Sequence, residues 1–573
     1  MKRNRDVSRT AAGGNGRKNL LFAVACMALI FLKYMLASQL LISPRPSYRT
    51  DDYLMVMMAR GLLNGKWLGD YSYGTLMKGC FFPMFLAGAH VSGISYLSLL
   101  DLLNSAAALY FTLSLKTVLR RRRWMLVLLT VLLFNPVNAS ELTFERVYRC
   151  SITSMQTLFL FGSVITAYLD RKAGRGRQAA RAVFCGFVLW SLWNTREDAI
   201  WVVPFVVVAG IVTLAVRLKD LKDRRKWTGI LCSVILFLTP FIVLAGGNAA
   251  VSAINRNVYG LYVRNEASAG FGEMIKTMYS IKNAEHIEHV SVSAEKLRRF
   301  YRVSPTLREI EPELTKGLQQ ADAASDRSQN DGEVEDGWFY WCVKRAAERT
   351  GKAGTLPEAD AFYRQVAEEL KEAIEDPDNG FETQPVMPSA LMSPWYGEYA
   401  GRILPYITQA MDYLVSFKEV SAAPRIVTPD VERMSYLFEG ITGNASIHQE
   451  EEFVSQYRQV YIDRADAVAG IYRFINPAAA VLSLVLFFAQ MIAALIRRRG
   501  DEVPWLLVTS GVGLSVMVLL AGIAYTDMTA FIAIRYTYMG GGYGLMLAFE
   551  WTVILRAAEK VCDFVKRKRG VNK

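Results

Sequence analysis

Cysteine and histidine are both scarce in this chain, at seven and four among 573 residues. Only Cys342 falls between residues 251 and 470, so that long polar stretch cannot be stapled to itself and has to fold on an apolar core. The other cysteines lie in or beside apolar blocks (Cys26, Cys185, Cys232, Cys562) or near the ends of such blocks (Cys80, Cys150). The one histidine pair at helical spacing, His286 and His289, has no recognisable third ligand set beside it, and nothing in the pattern requires a metal or another cofactor. There is no tandem repeat. Charge is sparse too: 21% of residues are charged against 52% apolar, a membrane-type balance rather than that of an ordinary globular chain. The net charge of +13 does not indicate nucleic acid, because residues 251–470 hold 23 basic and 35 acidic residues, about −12. The basic excess sits on short segments beside the apolar blocks, where anionic lipid is the natural partner.

What is abundant is long apolar sequence, in blocks long enough to cross about 30 Å of hydrocarbon as helices. The first, Asn19–Ile42, follows a basic tail and runs into Ser43-Pro44-Arg45-Pro46 without a small-residue cleavage site, so it is expected to be a retained anchor. Nine more lie at 95–118, 124–139, 150–169, 182–194, 199–216, 228–247, 472–496, 503–525 and 538–557. Counted alternately from a cytoplasmic N-terminus, every inside segment is basic: 1–18, 120–123, 171–181, 217–226, 497–499 and the tail ending 566–569. Trp124, Trp227, Trp505 and Trp551 fall at expected span ends, where an amphipathic indole suits the interface.

The expected fold is therefore an all-α polytopic membrane protein of about ten transmembrane helices, with a mainly helical extracytoplasmic domain inserted between spans seven and eight. It divides into a basic cytoplasmic tail (1–18), an N-terminal membrane module (19–250) with a first outer loop (43–94), the inserted domain (251–470), C-terminal membrane helices (471–557) and a second cytoplasmic tail (558–573). Within the insert, Thr355-Leu-Pro-Glu358 is a capping box opening a helix that carries Phe362, Val366, Leu370 and Ile374 on one face. Residues 293–302 and 337–349 also read as helices, whereas 321–336 reads as a polar connection. Residues 379–430 have no clear period.

Charge beside a membrane span is costly and marks candidate function. Four short outer segments and one late one carry it. In Asp51-Asp52, ahead of the helical stretch 54–63, each acid either caps that helix or serves as a general base, which would call for burial to raise its pKa. Lys78, before Gly79 and Pro83, either snorkels or binds an anion. Glu145 and Arg149 are spaced to pair on one helix face, while Arg146 points elsewhere. Thr195-Arg196-Glu197-Asp198 fills a turn of a few residues, where Glu197 and Asp198 either cap the next span or line a site. Arg535-Tyr536 precedes three glycines, and an arginine there either binds phosphate bidentately or holds a carboxylate.

In order and sidedness these segments resemble the GT-C superfamily of membrane glycosyltransferases, particularly the protein-mannosyltransferase and aminoarabinose-transferase-like branch (glycosyltransferase family 39-like). The resemblance covers about 19–250 and 470–560 and rests on the acidic pair Asp51-Asp52, the Lys78-Gly79 element with Pro83, the Thr195–Asp198 turn and Arg535-Tyr536. It departs at the last motif, which continues Thr-Tyr-Met-Gly-Gly-Gly rather than to a proline, and at the insert. It implies a polyprenyl-phosphate sugar donor, inversion at the sugar carbon, Asp51 or Asp52 as the catalytic base, and Lys78, Arg146, Arg196 and Arg535 as phosphate or sugar-phosphate contacts, with Glu145, Arg149, Glu197, Asp198 and Tyr536 completing the substrate site. The acceptor would be a hydroxyl of an envelope glycan, lipid or protein, and the setting a bacterial cytoplasmic membrane. A transporter or lipid flippase, and an inactive relative binding an envelope polymer or partner, are the alternatives.

Overall fold

The computed structural model describes residues 3–46, 50–221, 227–324, 332–448, 456–497 and 500–568. Its membrane part begins with α1 (Arg3–Ala37), α2 (Asp51–Leu63), α3 (Phe81–Ser92), α4 (Tyr96–Ser114), α5 (Arg122–Leu133), α6 (Thr153–Leu169), α7 (Arg175–Trp193), α8 (Val203–Asp220) and α9 (Trp227–Tyr259). The insert contains α10 (Gly270–Ser280), α11 (Ala294–Val303), α12 (Pro305–Arg308), α13 (Glu311–Asp322), α14 (Asp336–Arg349), α15 (Leu356–Glu375), α16 (Tyr399–Val415) and α17 (Glu432–Thr442). The membrane part closes with α18 (Gln456–Ile496), α19 (Val503–Thr529) and α20 (Gly540–Lys568). Strand is confined, among the described residues, to Ile426–Val427 lying parallel to Ile447–His448.

The fold is all-α, and among the described residues seven helical segments are long and apolar enough to cross a membrane: 16–37, 96–114, 149–169, 199–220, 227–259, 458–496 and 503–529. The other three expected spans are helical but fall short of that standard, each for a visible reason. The helix from block 124–139 stops at Leu133 after 12 residues, about 18 Å, because Asn135-Pro136 starts a tight 3-10 turn. The first turns of α7 carry Arg175, Arg177 and Arg181, and α20 opens on three glycines and buries Glu550. Trp505 is buried rather than interfacial, with Lys560 over its ring. By contrast α9, with 33 residues, and α18, with 41, extend about 50 and 62 Å, so each continues beyond the hydrocarbon into the insert.

Two apolar cores hold the molecule. One joins the membrane helices and takes in Ala410 and Leu414 of α16 and Phe438 and Ile441 of α17. The other, around Phe271, Phe300, Leu314, Phe339, Val366 and Leu370, belongs to α10–α15 and receives Met77 from the first outer loop. The capping box at Thr355 and Glu358 forms as expected, and residues 293–302 and 337–349 are helical. Of the expected connection 321–336, residues 325–331 lie outside the described residues. The stretch without period, 379–430, includes α16, a helix that packs on α19 and fastens the insert to the membrane bundle.

Candidate active site

The start of α2, the segment leading into α6 and the turn between α7 and α8 meet at one end of the bundle. Thr50 caps α2, its hydroxyl accepting from the Tyr53 N–H at 3.3 Å, which leaves the two aspartates of the first turn free for other partners. They diverge. Asp52 is fully buried and takes Arg146 in a bidentate pair, with Nε to Oδ2 at 2.7 Å and Nη2 to Oδ1 at 2.5 Å. Asp51 is 27% exposed, with Lys78 Nζ 3.0 Å from Oδ2 and the Tyr148 hydroxyl donating to the same oxygen at 3.1 Å.

Beside this pair stand two further ion pairs, Arg149 with Glu197 and Arg196 with Asp198. Arg149 bonds Glu197 and donates through Nε to the Tyr148 oxygen at 3.0 Å. Arg196 chelates Asp198, with Nε to Oδ1 at 2.8 Å, and its Nη1 reaches Cys150 Sγ at 2.9 Å while its guanidinium lies 5.5 Å from the Tyr538 ring centre. Glu197 and Asp198 therefore hold arginines and make no side-chain cap on the following turn. Gly79 is required here: a Cβ would stand 1.9 Å from the Asn194 carbonyl oxygen, so the Lys78 loop can approach the α7–α8 turn only without a side chain at that position.

Electrostatics separates the acids. Burial alone would raise Asp51, but Lys78 and Arg149 outweigh it and hold its carboxyl below the ordinary carboxylate range. The expectation that a base here has a raised pKa is thus overturned for the resting protein: Asp51 is an anion neutralised by a lysine. Burial and Arg149 work against the Lys78 charge, yet Asp51 keeps it above its ordinary value. Burial also pushes the Tyr148 phenol well up, so it stays a hydrogen-bond donor. Glu197 and Asp198 are likewise lowered, desolvation being outweighed by Arg149 and Arg196 respectively.

Three sequence candidates lie elsewhere. Glu145 does not pair with Arg149; it is fully buried, both its oxygens lack a hydrogen-bond partner among the described residues, and burial, then Glu141 and Asp466, raise its carboxyl well above the ordinary value. Tyr536 is buried on the same side, accepting the Leu142 N–H at 3.0 Å. Arg535 is exposed and within electrostatic range of Tyr413 of α16. The late motif reaches the charge cluster through Tyr538 instead.

Sequence reasoning also missed the roof. Trp341 of α14 lies 5.3 Å from Lys78 Nζ and edge-on to Tyr73, and its neighbour Tyr340 shares the field of Lys78 and Asp51. Nothing local in the Trp338–Trp341 run signals this, since the approach is made by elements over 250 residues apart. Tyr148 was missed as well, although its place between Arg146 and Arg149 is a signal that could have marked it. Among the described residues, no three His, Cys, Asp or Glu side chains are gathered so as to hold a metal ion, and His289 instead contacts the Asp527 carbonyl at 2.6 Å.

Fold and cluster together define a polytopic helical membrane protein with a compact, charge-paired site at one end of its bundle, roofed by an inserted domain. No family model matches the sequence, and no curated protein matches it. Among solved structures, the chain is similar to the apo-state crystal structure of ArnT from Cupriavidus metallidurans, at 12% identity over 89% of this chain and 78% of that one, with a TM-score of 0.25.

Proposed function

We propose that this chain is a GT-C-type membrane glycosyltransferase that moves a sugar from a polyprenyl-phosphate donor to an acceptor hydroxyl of an envelope glycan, lipid or protein on the extracytoplasmic face, with inversion. The observation that carries this is the contrast within the acidic pair. Asp52 is sealed against Arg146, while Asp51 is partly open and held by one lysine. A partly exposed carboxylate beside a cation is what phosphate-linked group transfer needs: a base for the acceptor and positive charge for the leaving phosphate.

The resting geometry couples the two requirements. When the donor phosphate enters, Lys78 and Arg149 have a second anion to serve, and the hold of Lys78 on Asp51 weakens. The Asp51 pKa then rises toward a value at which it can take the acceptor proton. The acceptor oxygen attacks the anomeric carbon, its proton passes to Asp51, the bond from that carbon to the phosphate oxygen breaks, and the phosphate leaves as an anion among Lys78, Arg149 and Arg196. Asp52 orients Arg146 and does not touch the acceptor. The stacked Arg146, Tyr148 and Arg149, with guanidinium carbons 4.3 and 5.4 Å from the ring centre, keep this cationic wall rigid. Transfer of labelled sugar from synthetic polyprenyl-phosphate donors by the purified protein is the test, with Asp51→Asn as the inactive control.

A further inference from the structure

At the opposite end of the bundle, between α6, α7, α8 and α9, lies a half-open crevice with a cavity volume of about 70 Å³. Its walls are apolar, among them Val164, Cys185, Val206, Phe237 and Phe241, and its mouth is polar, formed by Asp170, Gln178, Arg181 and Arg217. The mouth lies at the far end of α6, whose 17 residues span about 25 Å from the Arg149 end. Gly210 keeps one wall flat, since a Cβ there would come 2.8 Å from the Phe237 ring.

Among the described residues, the charges at this mouth are unbalanced. Arg181 pairs with Asp170 at 2.9 Å and Arg171 with Asp220 at 2.7 Å. Arg217 has no carboxylate partner among the described residues; it donates to the Gln178 side-chain oxygen at 2.5 Å and to the Ala167 carbonyl at 3.3 Å, both neutral acceptors. Residues 170–181 and 217–220 together hold seven basic and two acidic residues. An occupant has to be apolar along the walls, which lie at hydrocarbon depth, and anionic at the mouth. It cannot be a reacting donor, because its head would sit a membrane thickness from Asp51.

We propose that this crevice binds one anionic glycerophospholipid of the surrounding bilayer, an acyl chain between α8 and α9 and the phosphate on Arg217 with Arg181 beside it. The test is native mass spectrometry of the full-length protein, released from nanodiscs containing equal phosphatidylglycerol and phosphatidylcholine. The expected result is retention of one phosphatidylglycerol in preference to phosphatidylcholine, a preference that falls about fivefold in Arg217→Gln and returns in Arg217→Lys, the worth of one cation near a lipid phosphate. Equal retention of the two lipids by the unaltered protein overturns the proposal and needs no variant to fold. So does an Arg217→Gln variant that keeps the preference. Displacement of the bound lipid by equimolar undecaprenyl phosphate also overturns it, assigning the crevice to the donor class instead.

Discussion

Lys78 Nζ stands 3.0 Å from Asp51 Oδ2, while Arg146 closes on Asp52 next door with two bonds of 2.7 and 2.5 Å. Adjacent aspartates on one turn of α2 thus have opposite fates. The first is paired with one lysine and leaves 27% of its side chain exposed; the second is locked, with none exposed. The division of labour between the two residues follows from that difference.

Removing the lysine charge should raise the Asp51 pKa, since the cation favours the carboxylate. In the unaltered protein Asp51 lies below the ordinary carboxylate range, so the acid limb of kcat/KM falls at low pH. In Lys78→Gln that limb moves to higher pH, and the donor KM rises as well. A pH–rate series on both proteins checks this; an unmoved acid limb contradicts the pairing of Lys78 with Asp51.

Asp52→Asn leaves Arg146, only 14% exposed, without its counter-charge. The expected cost is about 3–5 kcal/mol of stability, the usual result of removing one member of a buried ion pair. Asp51→Asn, at a partly open site, should cost far less. Thermal melts of the two variants in one detergent compare them, and a melt of Asp52→Asn at or above that of Asp51→Asn would contradict the assignment of Asp52 to positioning.

Arg196 makes a planar bidentate contact with Asp198, reaches Cys150 Sγ and lies over Tyr538. A lysine can copy the charge but not the fork or the stacking. Arg196→Lys should lower kcat/KM about tenfold or more, equivalent to about 1.4 kcal/mol of transition-state stabilisation, with a melt close to that of the unaltered protein. Full activity in the lysine variant would reduce Arg196 to a point charge.

Glu145 is buried with its carboxyl raised well above the ordinary value. A group with a raised folded-state pKa contributes stability below its unfolded value and loses it as pH rises through the folded value. Glu145→Gln keeps the shape without the ionisation. It should melt like the unaltered protein at acid pH and above it at alkaline pH, and parallel curves across that range would contradict the buried neutral acid.

Much of this architecture was legible in sequence because membrane helices announce themselves by length and by the charge at their ends. The expected spans all become helices, though α5 is cut short by Asn135-Pro136 and α7 and α20 are too polar to qualify alone. The acidic pair, Lys78 and the Arg196 turn were found because charge beside an apolar block is conspicuous. What sequence could not give is pairing. The spacing of Glu145 and Arg149 suggested a helical pair, but the chain leaves Glu145 in a short π-helical turn and swings Arg149 to Glu197 on another loop. Arg535 looked like a phosphate ligand, yet the contact with the cluster comes three residues later, from Tyr538. Trp341 was unreadable because its approach to Lys78 depends on how the insert's own core seats on Met77.

The central claim is that Asp51 takes the acceptor proton in sugar transfer from a polyprenyl-phosphate donor. The most direct measurement is single-turnover transfer of radiolabelled sugar, from a short-chain polyprenyl-phosphate donor presented with envelope lipid and glycan acceptors, by the purified protein and by Asp51→Asn, with donor binding followed in parallel. The expected result is transfer by the unaltered protein and loss of at least about a hundredfold in Asp51→Asn, the usual worth of a positioned base, with donor binding retained. Transfer by Asp51→Asn at the rate of the unaltered protein would contradict it, as would the absence of any transfer by a folded, donor-binding protein.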